Sequence, residues 1–271
     1  VIIAALMSKT AAYGLVRFVV PLFPEAARRF AIPALIIGSV SILYGAKLSY
    51  AQRNLKRLIA YSSLSHMGFI LIGVFSFNVI AFQGVLMQMV AHGLSIAALF
   101  IISEFIYERT GTLDMQQMGG FWEKMPNLGG FTLVFIMASL GLPGLANFVA
   151  EFLVLAGAWQ FNITLCVLAT LGLIVSVTYS LRILQKIFHQ SKYDQKNLFV
   201  LKPREWLVMG SLTIAIVWLG FFPQSVIKVA QPAFDKMGIS GSVNQTTETG
   251  MTVPIKAKEI TVTTEKGGKK W

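Results

Sequence analysis

The stretch RLIAYSSLSHMGFILIGVFSFNVIAFQGVLMQMVAHGLSIAALFIISEFIY, residues 57–107, decides the fold. It holds two apolar runs, 57–76 and 79–107, separated by a turn too short for anything but a direct reversal. A bilayer core needs about 20 apolar residues per helix, and both runs meet that length. Neither alternates polar and apolar residues, as a barrel strand would over about ten positions. The pair is read as an antiparallel transmembrane hairpin.

Working outward, five further apolar runs cover 1–20, 32–51, 129–157, 161–187 and 204–222. The predicted fold class is an all-α polytopic membrane protein with about seven transmembrane helices, one of them broken. Composition agrees: 55% of the chain is hydrophobic and 13% is charged, whereas soluble proteins carry about 25% charge. A soluble globule could not hide that much apolar surface, and disorder fails as a reading of the main body for the same reason. The opening VIIAALMSKT is already apolar and has no signal-peptide pattern, so it is read as a fragment that starts inside a span. Residues 1–222 are expected to form the helical bundle. After Pro223 the composition changes, the stretch 243–271 is Thr-, Lys- and Gly-rich with no apolar face, and 223–271 is expected to be a partly disordered or peripheral tail.

The net charge of +11 would suggest nucleic acid in a soluble chain. Here the basic residues gather in short loops. One side carries Lys47, Arg53, Lys56 and Arg57, then Arg109 and Lys124, then Lys186, Lys192, Lys196, Lys202 and Arg204. The other carries Arg28 and Arg29 and little else in its turns. Basic short loops stay inside, which makes the first side cytoplasmic. The single cysteine, Cys166, lies in an apolar run, so neither a disulfide frame nor a thiolate metal site is available. No P-loop, GxGxxG, HExxH or CxxC occurs, and no metal or cofactor is expected on this chain. Nor does any nucleophile stand beside a base.

Titratable groups at membrane depth are costly, so each is a functional hypothesis by default. Four stand out: Lys9 in MSKTAAYGLVRF, His66, His92, and Glu151 in GLPGLANFVAEFLVLAG. The hairpin can bring His66 and His92 face to face near the bilayer centre. Ser62 and Ser63 precede His66, while Gln88 and Ser95 flank His92, at spacings that place polar neighbours beside each ring. For a lone histidine the bland alternative is a neutral ring bonded to a neighbouring helix; two at matched depth, with Lys9 and Glu151 also in the membrane, favour function. Lys9 has Tyr13 one turn on, and the alternative is a lysine that snorkels to the interface. Glu151 follows Gly141-Leu142-Pro143-Gly144, which should break the helix, with Asn147 between. Broken helices mark ion sites in transporters; the alternative is a proline kink that serves packing. Glu104, Glu108, Arg182 and Lys186 sit near span ends and are read as interface anchors. Chains of such groups, with water between them, pass protons.

The strings KTAAYGLVRFVVPLFP (9–24), AQRNLKRLIAYSSLSHMGFILIG (51–73), QMVAHGLSIAALF (88–100) and LGLPGLANFVAEFLVL (140–155) closely resemble the antiporter-like, proton-conducting membrane subunits of bacterial NADH:quinone oxidoreductase, respiratory complex I, in their subunit M branch. The resemblance runs from residue 1 to about 222. It implies the C-terminal half of a family chain built from two inverted repeats, with the second broken helix at 129–157. It also implies roles: Lys9 as the central lysine, His66 and His92 as the connecting wire, Glu151 as the terminal acid of the exit half-channel. Many antiporter-like relatives carry lysine where Glu151 stands, and the glutamate points to the subunit M branch. The resemblance implies a non-redox subunit of a proton-translocating oxidoreductase in the bacterial inner membrane. Its partners would be other membrane-arm subunits, lipid, protons and water. Two alternatives stay open: a monovalent-cation/proton antiporter or hydrogenase-linked homologue, and a non-conducting scaffold whose buried charges are paired and dry.

Overall fold

A computed structural model of the chain describes residues 2–189 and 200–236. Helices occur in the order α1 (Ile3–Leu22), α2 (Pro24–Arg29), α3 (Ala31–Ala51), α4 (Leu55–Phe75), α5 (Val79–Thr110), α6 (Phe121–Lys124), α7 (Pro126–Ser139), α8 (Ala146–Trp159), α9 (Ile163–His189), α10 (Pro203–Phe221) and α11 (Gln224–Lys236). Six of them, α1, α3, α4, α5, α9 and α10, are long and apolar enough to cross a membrane. The shorter apolar helices α7 and α8 are the two halves of the broken span. Among the described residues no strand forms, and the one isolated bridge joins Asn54 to Asp114.

Asparagine sets where three helices begin. The Oδ1 atoms of Asn54, Asn78 and Asn162 accept from the backbone N–H groups of Arg57, Ile80 and Leu165 at 3.2, 2.8 and 3.0 Å. Each satisfies a donor that the first turn would leave orphaned. The break between α7 and α8 has its own local cause. Gly141 and Gly144 adopt φ values of +71° and +97°, which side chains with a Cβ resist. Pro143, between them, has no N–H for the helical ladder. Irregular backbone at membrane depth must be buried in protein or line a cavity, and α10 provides cover: a Cβ on Gly220 would lie 2.2 Å from the Gly144 carbonyl oxygen.

Small residues bring α5 and α8 into backbone contact. A Cβ on Gly84 would stand 2.5 Å from Val154 N, and one on Gly157 would stand 2.5 Å from Ala81 N. Close approach through small residues is how helices associate where lipid removes the hydrophobic drive. These contacts run the two helices antiparallel and fix which of their polar residues meet.

The two ends of the bundle differ chemically. At one, Leu55 N–H donates to the Leu113 carbonyl and Met115 N–H to the Arg53 carbonyl, both at 2.9 Å, tying the loop after α5 to the α3–α4 turn. Arg109 pairs with Glu205, Lys56 pairs with Glu104, and Arg182 donates to the Tyr50 carbonyl at this same end. The basic segments 52–57 and 108–128 and the start of α10 thus lie together; Lys192 and Lys196 fall outside the described residues. At the opposite end Asn78 Nδ2 donates to Gln160 Oε1 at 2.8 Å, and Phe30, Phe75 and Phe77 meet edge to face.

The first 13 residues of helix after Pro223, α11, belong to the stretch expected to be tail. On it Ile227 is buried and Val226 and Ala230 pack on the bundle, while Val229 is exposed. Composition averaged over 223–271 hides an amphipathic helix of this length, because its polar face cancels its apolar one. Residues 237–271 lie outside the described residues.

Candidate functional site

Buried polar side chains converge where α4, α5, α8 and α9 meet. Glu151, in the second turn of α8, places Oε1 2.9 Å from His66 Nδ1 on α4. Gln88 Nε2 on α5 donates to the same oxygen at 3.5 Å. The other carboxylate oxygen folds against the break, where a Cβ on Gly141 would lie only 2.8 Å from it. His66 Nε2 is 3.3 Å from the hydroxyl of Tyr179 on α9, so both of its ring nitrogens are engaged. The His66 and His92 rings touch, with centroids 4.9 Å apart and planes tilted by 38°. His92 Nε2 lies 3.0 Å from Ser63 Oγ. His66, His92, Glu151 and Tyr179 are each no more than 2% exposed.

The antiparallel register of α5 and α8 extends this cluster into a seam. Gln88 faces Glu151, and Ser95 Oγ accepts from Asn147 Nδ2 at 3.2 Å. His92 stands between them on α5. Along this seam Gln88 Oε1, His92 Nδ1 and Asn147 Oδ1 have no hydrogen-bond partner among the described residues. An unsatisfied buried group costs about 1–3 kcal/mol, so these atoms mark positions where water would be held.

Lys9 lies in the α-helical stretch Ser8–Gly14 between two π-helical turns, Ile3–Met7 and Leu15–Val19. It is 7% exposed, and its Nζ donates to the Ala4 carbonyl at 2.8 Å and to Ser8 Oγ at 3.1 Å. Its stem passes α5 beside His92: a Cβ on Gly93 would stand 3.9 Å from Lys9 Cε. Its hydrogen bonds, however, stay within its own helix. Among the described residues no group of three or more His, Cys, Asp or Glu side chains is placed to hold a metal ion.

Of the residues singled out in the sequence, Ser63, Gln88, Ser95 and Asn147 line the cluster or its seam, and Gly141, Pro143 and Gly144 form the break. Two lie elsewhere. Ser62 donates to the Ile59 carbonyl at 2.8 Å within α4. Successive helical residues point about 100° apart at 3.6 residues per turn, so with Ser63 turned to α5 its neighbour cannot be. Tyr13 is half-exposed and meets Phe18 edge-on at 6.3 Å. The Lys9 side chain runs back toward the helix N-terminus, as helical side chains do, and so leads away from Tyr13. The residue that sequence reasoning missed is Tyr179. Its signal was present in SVTYS (176–180), where a serine three positions earlier puts a polar stripe inside an apolar run.

Comparison with known proteins gives the bundle a family. The model of the family described as NADH:quinone oxidoreductase/Mrp antiporter, TM, matches residues 1–177. The chain belongs to that family. It is 47% identical over 228 residues to NADH-quinone oxidoreductase subunit M of Pseudomonas aeruginosa, covering 84% of this chain and 45% of the relative. Subunit M of Escherichia coli is 43% identical over 234 residues, 85% of this chain and 46% of the relative. This antiporter-family chain thus spans slightly less than half the length of those curated relatives. Its fold matches a chain of respiratory complex I from Thermus thermophilus with a TM-score of 0.80 and 33% identity, over 88% of this chain and 51% of that one. A chain of the Mrp complex from Dietzia, at TM-score 0.76 and 17% identity over 87% of this chain and 54% of that one, shares the fold alone. The family resemblance carried by the four quoted strings therefore holds, and the antiporter-family bundle is a multi-pass membrane protein.

Proposed function

We propose that this chain relays protons across the membrane as an antiporter-like subunit of an NADH:quinone oxidoreductase, by way of Lys9, His92, His66 and Glu151. The observation that carries the reading is the contact series Ser63–His92–His66–Glu151 at a four-helix junction, beside a broken span and inside an otherwise apolar bundle. An apolar bundle has no packing need for such groups, and each is costly at membrane depth. Histidine exchanges protons near neutrality. Between His66 Nδ1 and Glu151 Oε1 a proton has one hydrogen bond to cross, 2.9 Å long. Between the two histidines the contact is ring against ring, tilted by 38° with no hydrogen bond between them, and water held at His92 Nδ1, Gln88 Oε1 and Asn147 Oδ1 would carry the proton along the seam. Lys9 stands outside the bonded cluster. Its charge acts on His92 through the low-dielectric interior, where two cations repel and a proton on one displaces a proton from the other.

In this reading the redox chemistry belongs to other subunits, and this chain supplies no cofactor site. Its partners are membrane-arm subunits of the complex, its basic end faces the cytoplasm, and its membrane is the bacterial inner membrane. A monovalent-cation/proton antiporter uses the same fold, and a list of the proteins that copurify with the full-length chain separates the two. The directly bonded His66–Glu151 pair is the one feature that favours a scaffold role. The deciding experiment is Glu151→Gln in the full-length chain within its complex, reading NADH-driven proton uptake by inverted membrane vesicles beside an immunoblot for assembly. Loss of uptake by an assembled complex supports the relay; normal uptake returns the cluster to structure.

A further inference from the structure

We propose that Tyr179 is a positioning residue for His66: its phenol O–H donates to Nε2 and holds the ring as the tautomer whose Nδ1–H points at Glu151. The inference rests on the proton-relay reading and deepens it.

Tyr179 is 1% exposed and among the largest fully buried side chains, in a run where phenylalanine would pack equally well. What the hydroxyl adds is a polar atom 3.3 Å from His66 Nε2. A neutral imidazole has one N–H and one acceptor nitrogen, so its two neighbours decide which nitrogen is which. On the Nδ1 side stands Glu151 Oε1, which also receives the Gln88 amide and therefore acts as an acceptor. That side needs the N–H. The Nε2 side then needs a donor, and a phenol is one. With a phenylalanine at 179, Nε2 would lose its donor, and the Nδ1–H tautomer would be held by the Glu151 carboxylate alone. Tyr179 comes from α9, so whether Nε2 keeps its donor depends on how α9 packs on α4, while Glu151 on α8 engages the other nitrogen.

The test uses the full-length chain in its complex, with NADH-driven proton uptake normalised to the assembled amount. Tyr179→Phe should slow uptake about twofold to tenfold, the worth of one hydrogen bond. In a His66→Ala background the same change should have no effect. An equal fold-loss in both backgrounds would show that Tyr179 acts elsewhere and would overturn the inference. Mono- and difluorotyrosine at position 179 keep the shape while making the phenol a better donor. The pH profile of uptake should move stepwise along that series, and a single unmoved profile would also overturn the inference, even where Tyr179→Phe or the double variant fails to assemble. The relay reading fails separately: it falls if His66→Ala leaves uptake unchanged, whereas a flat fluorotyrosine series with an impaired His66→Ala removes only the role of Tyr179.

Discussion

The Glu151 carboxylate and His66 Nδ1 lie 2.9 Å apart across 85 residues of sequence, both side chains buried. The contact ties the second half of the broken span to α4. It exists because the break restarts the helix at Ala146, which sets the rotation of α8 and turns Glu151 inward. Removing Glu151 leaves His66 Nδ1 buried and unmatched, at about 1–3 kcal/mol, and removing His66 leaves Glu151 Oε1 only the longer bond from Gln88.

Glu151→Ala should abolish or strongly reduce proton uptake and the electron transfer coupled to it, while the complex still assembles. Vesicle uptake driven by NADH, with an immunoblot alongside, reads both. Wild-type uptake by an assembled Glu151→Ala complex would take the carboxylate out of the path.

Lys9→Ala should be equally severe, because Lys9 is the lysine whose stem passes α5 at Gly93, beside His92. Lys9→Arg should also be poor: guanidinium keeps its proton under any condition the relay meets. The same uptake assay decides, and full activity in the arginine variant would show that a fixed charge is enough.

His92→Ala should slow uptake without stopping it. The vacated space adjoins Ser63 and the unpartnered atoms of Gln88 and Asn147, and water can bridge polar groups placed like these. Complete loss in an assembled complex would make the ring itself indispensable.

Gly141→Ala should lower both stability and uptake. At φ +71° the new side chain costs about 1–2 kcal/mol, and its Cβ would stand 2.8 Å from Glu151 Oε2, forcing the carboxylate to move. Gly130→Ala is the matched control, since its Cβ would meet nothing within 4 Å; it should leave both unchanged. Equal effects from the two substitutions would mean that the break is not special.

Cysteine placed at the exposed Gln116 should resist an impermeant thiol reagent in intact cells, while cysteine at Glu25, at the opposite end, should label, in a background cleared of other cysteines. The short basic loops set this orientation. Rapid labelling at position 116 would invert it.

Much of this molecule is legible from spacing alone. Apolar length places the spans, Gly141-Leu142-Pro143-Gly144 places the break, and asparagines at 54, 78 and 162 start the helices that follow them, because each of these is a local property of the chain. His66, His92, Lys9 and Glu151 announce themselves because a polar group at membrane depth is costly wherever its helix packs. Which neighbours they meet is a different matter. Ser62 and Ser63 look alike in sequence, and only the crossing of α4 with α5 turns Ser63 toward His92 and leaves Ser62 on its own backbone. Tyr179 reaches His66 from 113 residues away, and Lys9 is buried beside α5 with its hydrogen bonds kept inside α1. These outcomes depend on helix rotation and on close approach at Gly84 and Gly157, set by packing between distant segments, and no periodicity within one helix encodes them.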